Sequence, residues 1–125
     1  MTRLCLISRR ILRETGEVKN ANVFVDVDLT LVDANGKLFD GAREGLKKLR
    51  DAGCHLFLWS TCGADYCRKT ARLHNLTELF EGFTAKPDIV IDDMPSTCTG
   101  AFAYDVRQEQ SWPHLAQRII AKHID

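Results

Sequence analysis

The sequence predicts an α/β protein in which a parallel sheet is sandwiched between helices as three layers. Three observations carry that expectation. First, Val23-Phe24-Val25-Asp26-Val27, His55-Leu56-Phe57-Leu58-Trp59 and Ile89-Val90-Ile91 are short, near-continuous apolar runs rich in β-branched and aromatic residues. Such runs suit strands covered on both faces. Second, segments of helical periodicity separate them. Third, at 125 residues, 45% hydrophobic and 27% charged, the chain has the size and composition of one globular domain, residues 1–125.

The elements follow in order. Residues 1–20 are net basic through Arg3, Arg9, Arg10, Arg13 and Lys19, and read as an extension that forms a further strand, an arm or a substrate-facing patch. Their opening apolar stretch is cut by Arg9 and Arg10 too early for a secretory h-region. After the first strand, the segment from Gly41 to Gly53 places Ala42, Leu46 and Leu49 on one helical face, with Gly53 as the stop. The strand His55 to Trp59 comes next. A second helix begins near Ala64 or Asp65, runs to about His74 and carries Tyr66, Thr70 and Leu73 on a stripe. After the strand Ile89 to Ile91, residues Ala101 to Val106 form another short strand. Ser111-Trp112-Pro113 then opens a helix with Leu115, Ile119 and Ile120 turned inward.

Lys plus Arg and Asp plus Glu each total 17, which argues against a nucleic-acid partner. No apolar segment reaches the roughly 18 residues of a membrane span. Five cysteines, an odd number with no Cys-x-x-Cys pair, predict free thiols in a reducing cytoplasm. Cys62 and Cys67 have no second ligand pair at matching spacing, so they fill space near a helix start rather than bind zinc.

Ligands of parallel sheets bind beyond the carboxyl ends of the strands, and here each apolar run borders polar chemistry. Asp26-Val27-Asp28-Leu29-Thr30 closes the first, Ser60-Thr61 the second, Lys86-Pro87 precedes the third, and Asp92-Asp93 closes it. Asp26 and Asp28, two apart, leave an extended strand on the same side. With Asp92 and Asp93 added, the negative charge requires cations among it. Hard oxygen donors select Mg²⁺ with waters and a phosphate, and Lys86 is a second cation. Metal, lysine and a hydroxyl donor from Ser60 form the clamp that a phosphoryl group needs.

These four elements, in this order, resemble motifs one to four of the haloacid dehalogenase-like phosphatases over about residues 22 to 95. The resemblance implies a Rossmann-like sheet without a cap domain. It implies Asp26 as the nucleophile that becomes an aspartyl-phosphate. Asp28 would be the acid/base that also offers its backbone carbonyl to Mg²⁺. It implies phosphate binding by Ser60 and Lys86, with Thr61 in reserve for Ser60. Asp93 would be the remaining metal ligand and Asp92 would brace Lys86 or a metal-bound water, the family varying in which of such a pair touches the metal. Residues Leu31 to Asp40, with the turn pair Asn35-Gly36, resemble the family's small flap.

The intervals between motifs are nearly consumed by the helices they must hold, which leaves an open site. An open site predicts a phosphorylated substrate large enough to exclude water itself, such as a phosphoprotein, or a small phosphate ester covered by a second copy of the chain. Two alternatives keep the same residues: a catalytically silent binding domain, and a phosphotransferase using the same intermediate.

Overall fold

The computed structural model describes residues 20–93, 102–105, 108 and 111–124. They fall into two units divided between Lys86 and Pro87. The extension at residues 1–19, Cys5, Cys98, Ala101 and Val106 lie outside the described residues. Among the described residues the architecture is mixed α/β with parallel ladders and three helices.

The first unit is two successive strand-helix-strand crossovers. Strand β1 (Asn22–Asp26) leads through helix α1 (Ala42–Asp51) to β2 (His55–Ser60), and helix α2 (Ala64–Leu73) with a 3-10 turn (Thr77–Leu79) leads to β3 (Gly82–Ala85). The sheet order is β1-β2-β3, all parallel, with Asp26 opposite Trp59 and Ser60 opposite Ala85. Strand β3 is not among the sequence expectations, because Gly82-Phe83-Thr84-Ala85 is short and carries two poor strand formers. Gly82 is needed there: a Cβ would come within 2.9 Å of the Phe57 ring beside it.

Alternation along β2 sorts its side chains. Leu56, Leu58 and Ser60 are buried, and the two leucines share a core with Val27, Leu46, Cys67, Ala71, Leu76, Leu79 and Phe80. His55, Phe57 and Trp59 point the other way, where Phe24 stacks on Phe57 at 5.0 Å and meets Trp59 at 4.9 Å.

Both helices of this unit end in the same device. After α1, Gly53 N–H donates to the Arg50 carbonyl (2.9 Å) and Cys54 N–H to that of Leu49 (3.0 Å), with Gly53 at φ +95°. After α2, Asn75 at φ +55° donates to Arg72 and Leu76 to Ala71. Each is a Schellman closure, and the predicted stop at Gly53 is the first of them. Arg43 of α1 donates to the His74 and Asn75 carbonyls, supplying a cation where the α2 dipole is negative.

The buried faces differ in part from expectation. On α1 Leu46 is buried and Ala42 packs at the core edge, but Leu49 is exposed. On α2 the inward stripe is Cys67, Thr70 and Ala71, while Leu73 is 73% exposed and Tyr66 lies at the core edge. Small residues let a helix approach the sheet closely, so Cys67 and Ala71 took the positions that hydrophobicity alone assigned to Tyr66 and Leu73.

In the second unit β4 (Ile89–Asp92) pairs in parallel with β5 (Phe102–Asp105), Asp92 opposite Asp105. Helix α3 (Trp112–His123) is capped by the Ser111 hydroxyl, which accepts from His114 N–H, and has Pro113 in its first turn. Leu115 and Ile119 are its buried residues; Ile120 and Trp112 are exposed. His123 bonds the Tyr104 hydroxyl at 2.6 Å and packs on Phe102, fixing the end of α3 to β5.

No helix among the described residues is long and apolar enough to cross a membrane.

Candidate active site at the strand tips

The ladder register itself assembles the site. Asp26 ends β1, Ser60 ends β2 opposite Ala85, and Lys86 is the residue after β3, so three side chains arrive at one edge of the sheet. The Lys86 N–H donates to the Ser60 carbonyl at 2.9 Å, which continues the ladder one step and fixes where the lysine leaves the backbone.

Beyond Asp26 the chain turns on a single acceptor. The Val27 carbonyl takes the N–H groups of Thr30, Leu31 and Val32, and Leu29 at φ +60° donates to Val32. This knot projects Asp28 two residues past Asp26. The chain then folds back as a small hairpin: Asp28 bridges to Val32, Val32 to Leu38, and the Asp33 carboxylate accepts from the N–H groups of Asn35 and Lys37. Gly36 takes φ +80° in that turn. The turn at Asn35-Gly36 is where the sequence predicts it, and His74, the residue after α2, bonds the Gly36 carbonyl.

The two carboxylates have different partners. Asp26 Oδ1 lies 3.2 Å from Lys86 Nζ, and its Oδ2 accepts from the Thr30 hydroxyl at 3.4 Å. Lys86 is also 5.7 Å from the centre of the Trp59 ring, whose face favours a cation. Asp28 Oδ1 accepts instead from the Tyr66 hydroxyl at 2.6 Å. That bond, with burial adding to it, pushes the Tyr66 phenol up to about 12. Asp26 is 34% exposed in its side chain, so a ligand can reach it.

The hydroxyl motif divides between two residues. Ser60 is 1% exposed; its Oγ accepts from Cys62 N–H at 3.0 Å and keeps its own proton to donate. Thr61, one residue on, is exposed.

Asp92 closes β4 and Asp93 follows it in a bend, both in the second unit. Within the first unit Asp26 and Lys86 are in contact, Ser60 ends the neighbouring strand, and Asp28 follows Asp26 by two residues with Tyr66 as its partner. Among the described residues no three His, Cys, Asp or Glu side chains form a group that would hold a metal ion. Cys62 is exposed and Cys67 is buried, where desolvation, reinforced by the charge of Asp26, raises its thiol pKa. The buried Cys67 thiol fills space as expected, whereas the exposed Cys62 does not.

Tyr66 is the contact that sequence reasoning missed. Its signal was available in principle: side chains in a first helical turn lean back toward the N-terminus, and α2 begins just past the tip of β2. Comparison of the chain with protein-family models, with curated proteins and with solved structures gives no match, so the reading of this site rests on its residues and their geometry.

Proposed function

We propose that this chain is a Mg²⁺-dependent phosphomonoester hydrolase of the haloacid dehalogenase-like superfamily, with a capless, three-layer Rossmann-like architecture and an aspartyl-phosphate intermediate. The observation that carries the reading is the Asp26–Lys86 pair at 3.2 Å across strand tips, with a second carboxylate, Asp28, two residues beyond the first. A reachable carboxylate beside a fixed cation is what in-line attack on a phosphoryl group requires.

In the first step an Asp26 carboxylate oxygen attacks phosphorus. The bond to the ester oxygen breaks, and that oxygen takes a proton from Asp28 and leaves as the alcohol. Lys86 and the hydroxyl of Ser60, or of Thr61, hold the phosphoryl oxygens as charge shifts among them. In the second step Asp28, now a carboxylate, removes a proton from water. The hydroxide attacks phosphorus, the acyl-phosphate bond breaks, and Asp26 is regenerated with release of inorganic phosphate.

The donor set suits Mg²⁺, being hard oxygen from the Asp26 carboxylate and the Asp28 main-chain carbonyl. The resemblance assigns the remaining acidic donors to Asp93 and Asp92. When bound, the ion neutralises phosphoryl charge. The open edge of the site favours a phosphoprotein, or a small ester covered by a second copy of the chain.

The test is phosphate release from p-nitrophenyl phosphate and a panel of phosphate esters, with Mg²⁺ and with EDTA, by wild type and Asp26→Asn. Metal-dependent release that falls at least about 10³-fold in the variant is expected. A variant keeping more than a few per cent of activity would remove Asp26 as nucleophile. Mg²⁺ binding without release from any ester would favour the silent binding domain. Phosphoester formed from added glycerol in place of phosphate would identify a transferase.

A further inference from the structure

We propose that Tyr66 is a positioning residue for Asp28, a role that rests on the reading of Asp28 as acid/base. Its hydroxyl, at 2.6 Å from Asp28 Oδ1, occupies one carboxyl oxygen and leaves Oδ2 as the one that passes the proton to the leaving oxygen.

Several observations converge on this. A bond of 2.6 Å from a hydroxyl to a carboxylate is in the charge-assisted range and roughly twice as strong as a neutral one. The phenol stands on a firm base. Tyr66 is the third residue of α2, its carbonyl accepts the hydroxyl of the buried Thr70 at 2.9 Å, and Cys67 next to it is fully buried in the core. Asp28, by contrast, is exposed and sits on a turn whose backbone bonds join Val27, Leu29 and Val32. Among the described residues Tyr66 is the hydrogen-bond partner shown for that carboxylate. The helix therefore supplies a contact that the turn itself does not. A tyrosine suits the task chemically, since a phenol is a donor at neutral pH and cannot compete as a cation for the phosphoryl group.

Positioning makes a prediction that packing does not. Protonation of the leaving oxygen matters most where the alkoxide is poor, so Tyr66→Phe, which keeps the ring, should lose about tenfold in kcat/KM on alkyl phosphates. On 2,4-dinitrophenyl phosphate, whose leaving group needs no proton, kcat/KM, which reads the steps up to loss of the leaving group, should stay within about twofold of wild type, while kcat falls with the second step that Asp28 also serves. In an Asp28→Asn background the same substitution should add nothing further. An equal loss of kcat/KM on both classes of ester, no loss on alkyl phosphates, or a full additional loss beside Asp28→Asn would each overturn the proposal.

A second measurement does not depend on turnover. Crystal structures of wild type and Tyr66→Phe should show the Asp28 carboxyl in one rotamer in the first and in a different rotamer, or several, in the second. The same single rotamer in both would overturn the positioning role. A wild type that releases no phosphate from any ester defeats the reading of Asp28 as acid/base, whereas the crystal comparison still decides whether Tyr66 sets its rotamer.

Discussion

Asp26 and Asp28 are two residues apart, carry the same charge and sit at the same strand tip, yet one faces an ammonium group and the other a phenol. The partner of Asp26 comes from the far side of the sheet, by the register of β3 against β2. The partner of Asp28 comes from the helix layer. Lys86 sets a positive charge beside Asp26, whereas the Tyr66 hydroxyl occupies one oxygen of Asp28 and leaves the other open. Chemically identical residues are thus given different partners by the two elements that reach them.

Removing either carboxylate should break that division unequally. On the proposed mechanism Asp26→Asn removes the nucleophile. Asp28→Asn should lower kcat by about 10² to 10⁴, the range of general acid/base catalysis, and both chemical steps should slow in single-turnover experiments. An untouched rate would end the acid/base assignment.

Lys86→Met should cost about 10² in kcat/KM, as loss of one preorganised charge does. It should leave thermal stability nearly unchanged, because an ion pair with both side chains about one-third exposed contributes under about 1 kcal/mol. A large fall in melting temperature with little loss of rate would make the pair structural. At the hydroxyls, whichever of Ser60→Ala and Thr61→Ala removes a phosphoryl hydrogen bond should cost about tenfold, and the other little. Steady-state kinetics of the two variants separates them.

The smallest effect is on pH dependence. Tyr66 keeps its proton to about 12 when folded, while an unfolded tyrosine loses it near 10. The unfolded chain therefore releases the proton first. The stabilisation from the Tyr66–Asp28 bond is complete below about pH 10 and is lost as pH rises toward 12. Over that window the melting temperature of wild type should fall more steeply than that of Tyr66→Phe; equal slopes would mean that the bond does not persist in solution.

The two carboxylates of this comparison stand out in the sequence, but their partners do not. Asp26 and Ser60 close apolar runs whose ends a parallel register aligns without help from side chains, whereas Lys86, read as the residue before the third run, is placed by following β3. Tyr66 became visible only once α2 was seen to bury Cys67 and Ala71, because the choice of inward face turns on how closely a helix can approach, which hydrophobicity does not report. The strand β3 escaped notice for a related reason: Gly82 is there to make room for the Phe57 ring, a requirement of its neighbour rather than of its own segment.

Leu29, between the two carboxylates, combines a backbone at φ +60° with a side chain that is 71% exposed. A branched apolar residue is disfavoured on both counts, since the left-handed region crowds its Cβ and water surrounds its methyls. Glycine or asparagine would adopt the same backbone at lower cost. The chain thus holds a reserve of heat resistance at the centre of its site, and a laboratory selection for thermal tolerance would be drawn to position 29 before any position in the core.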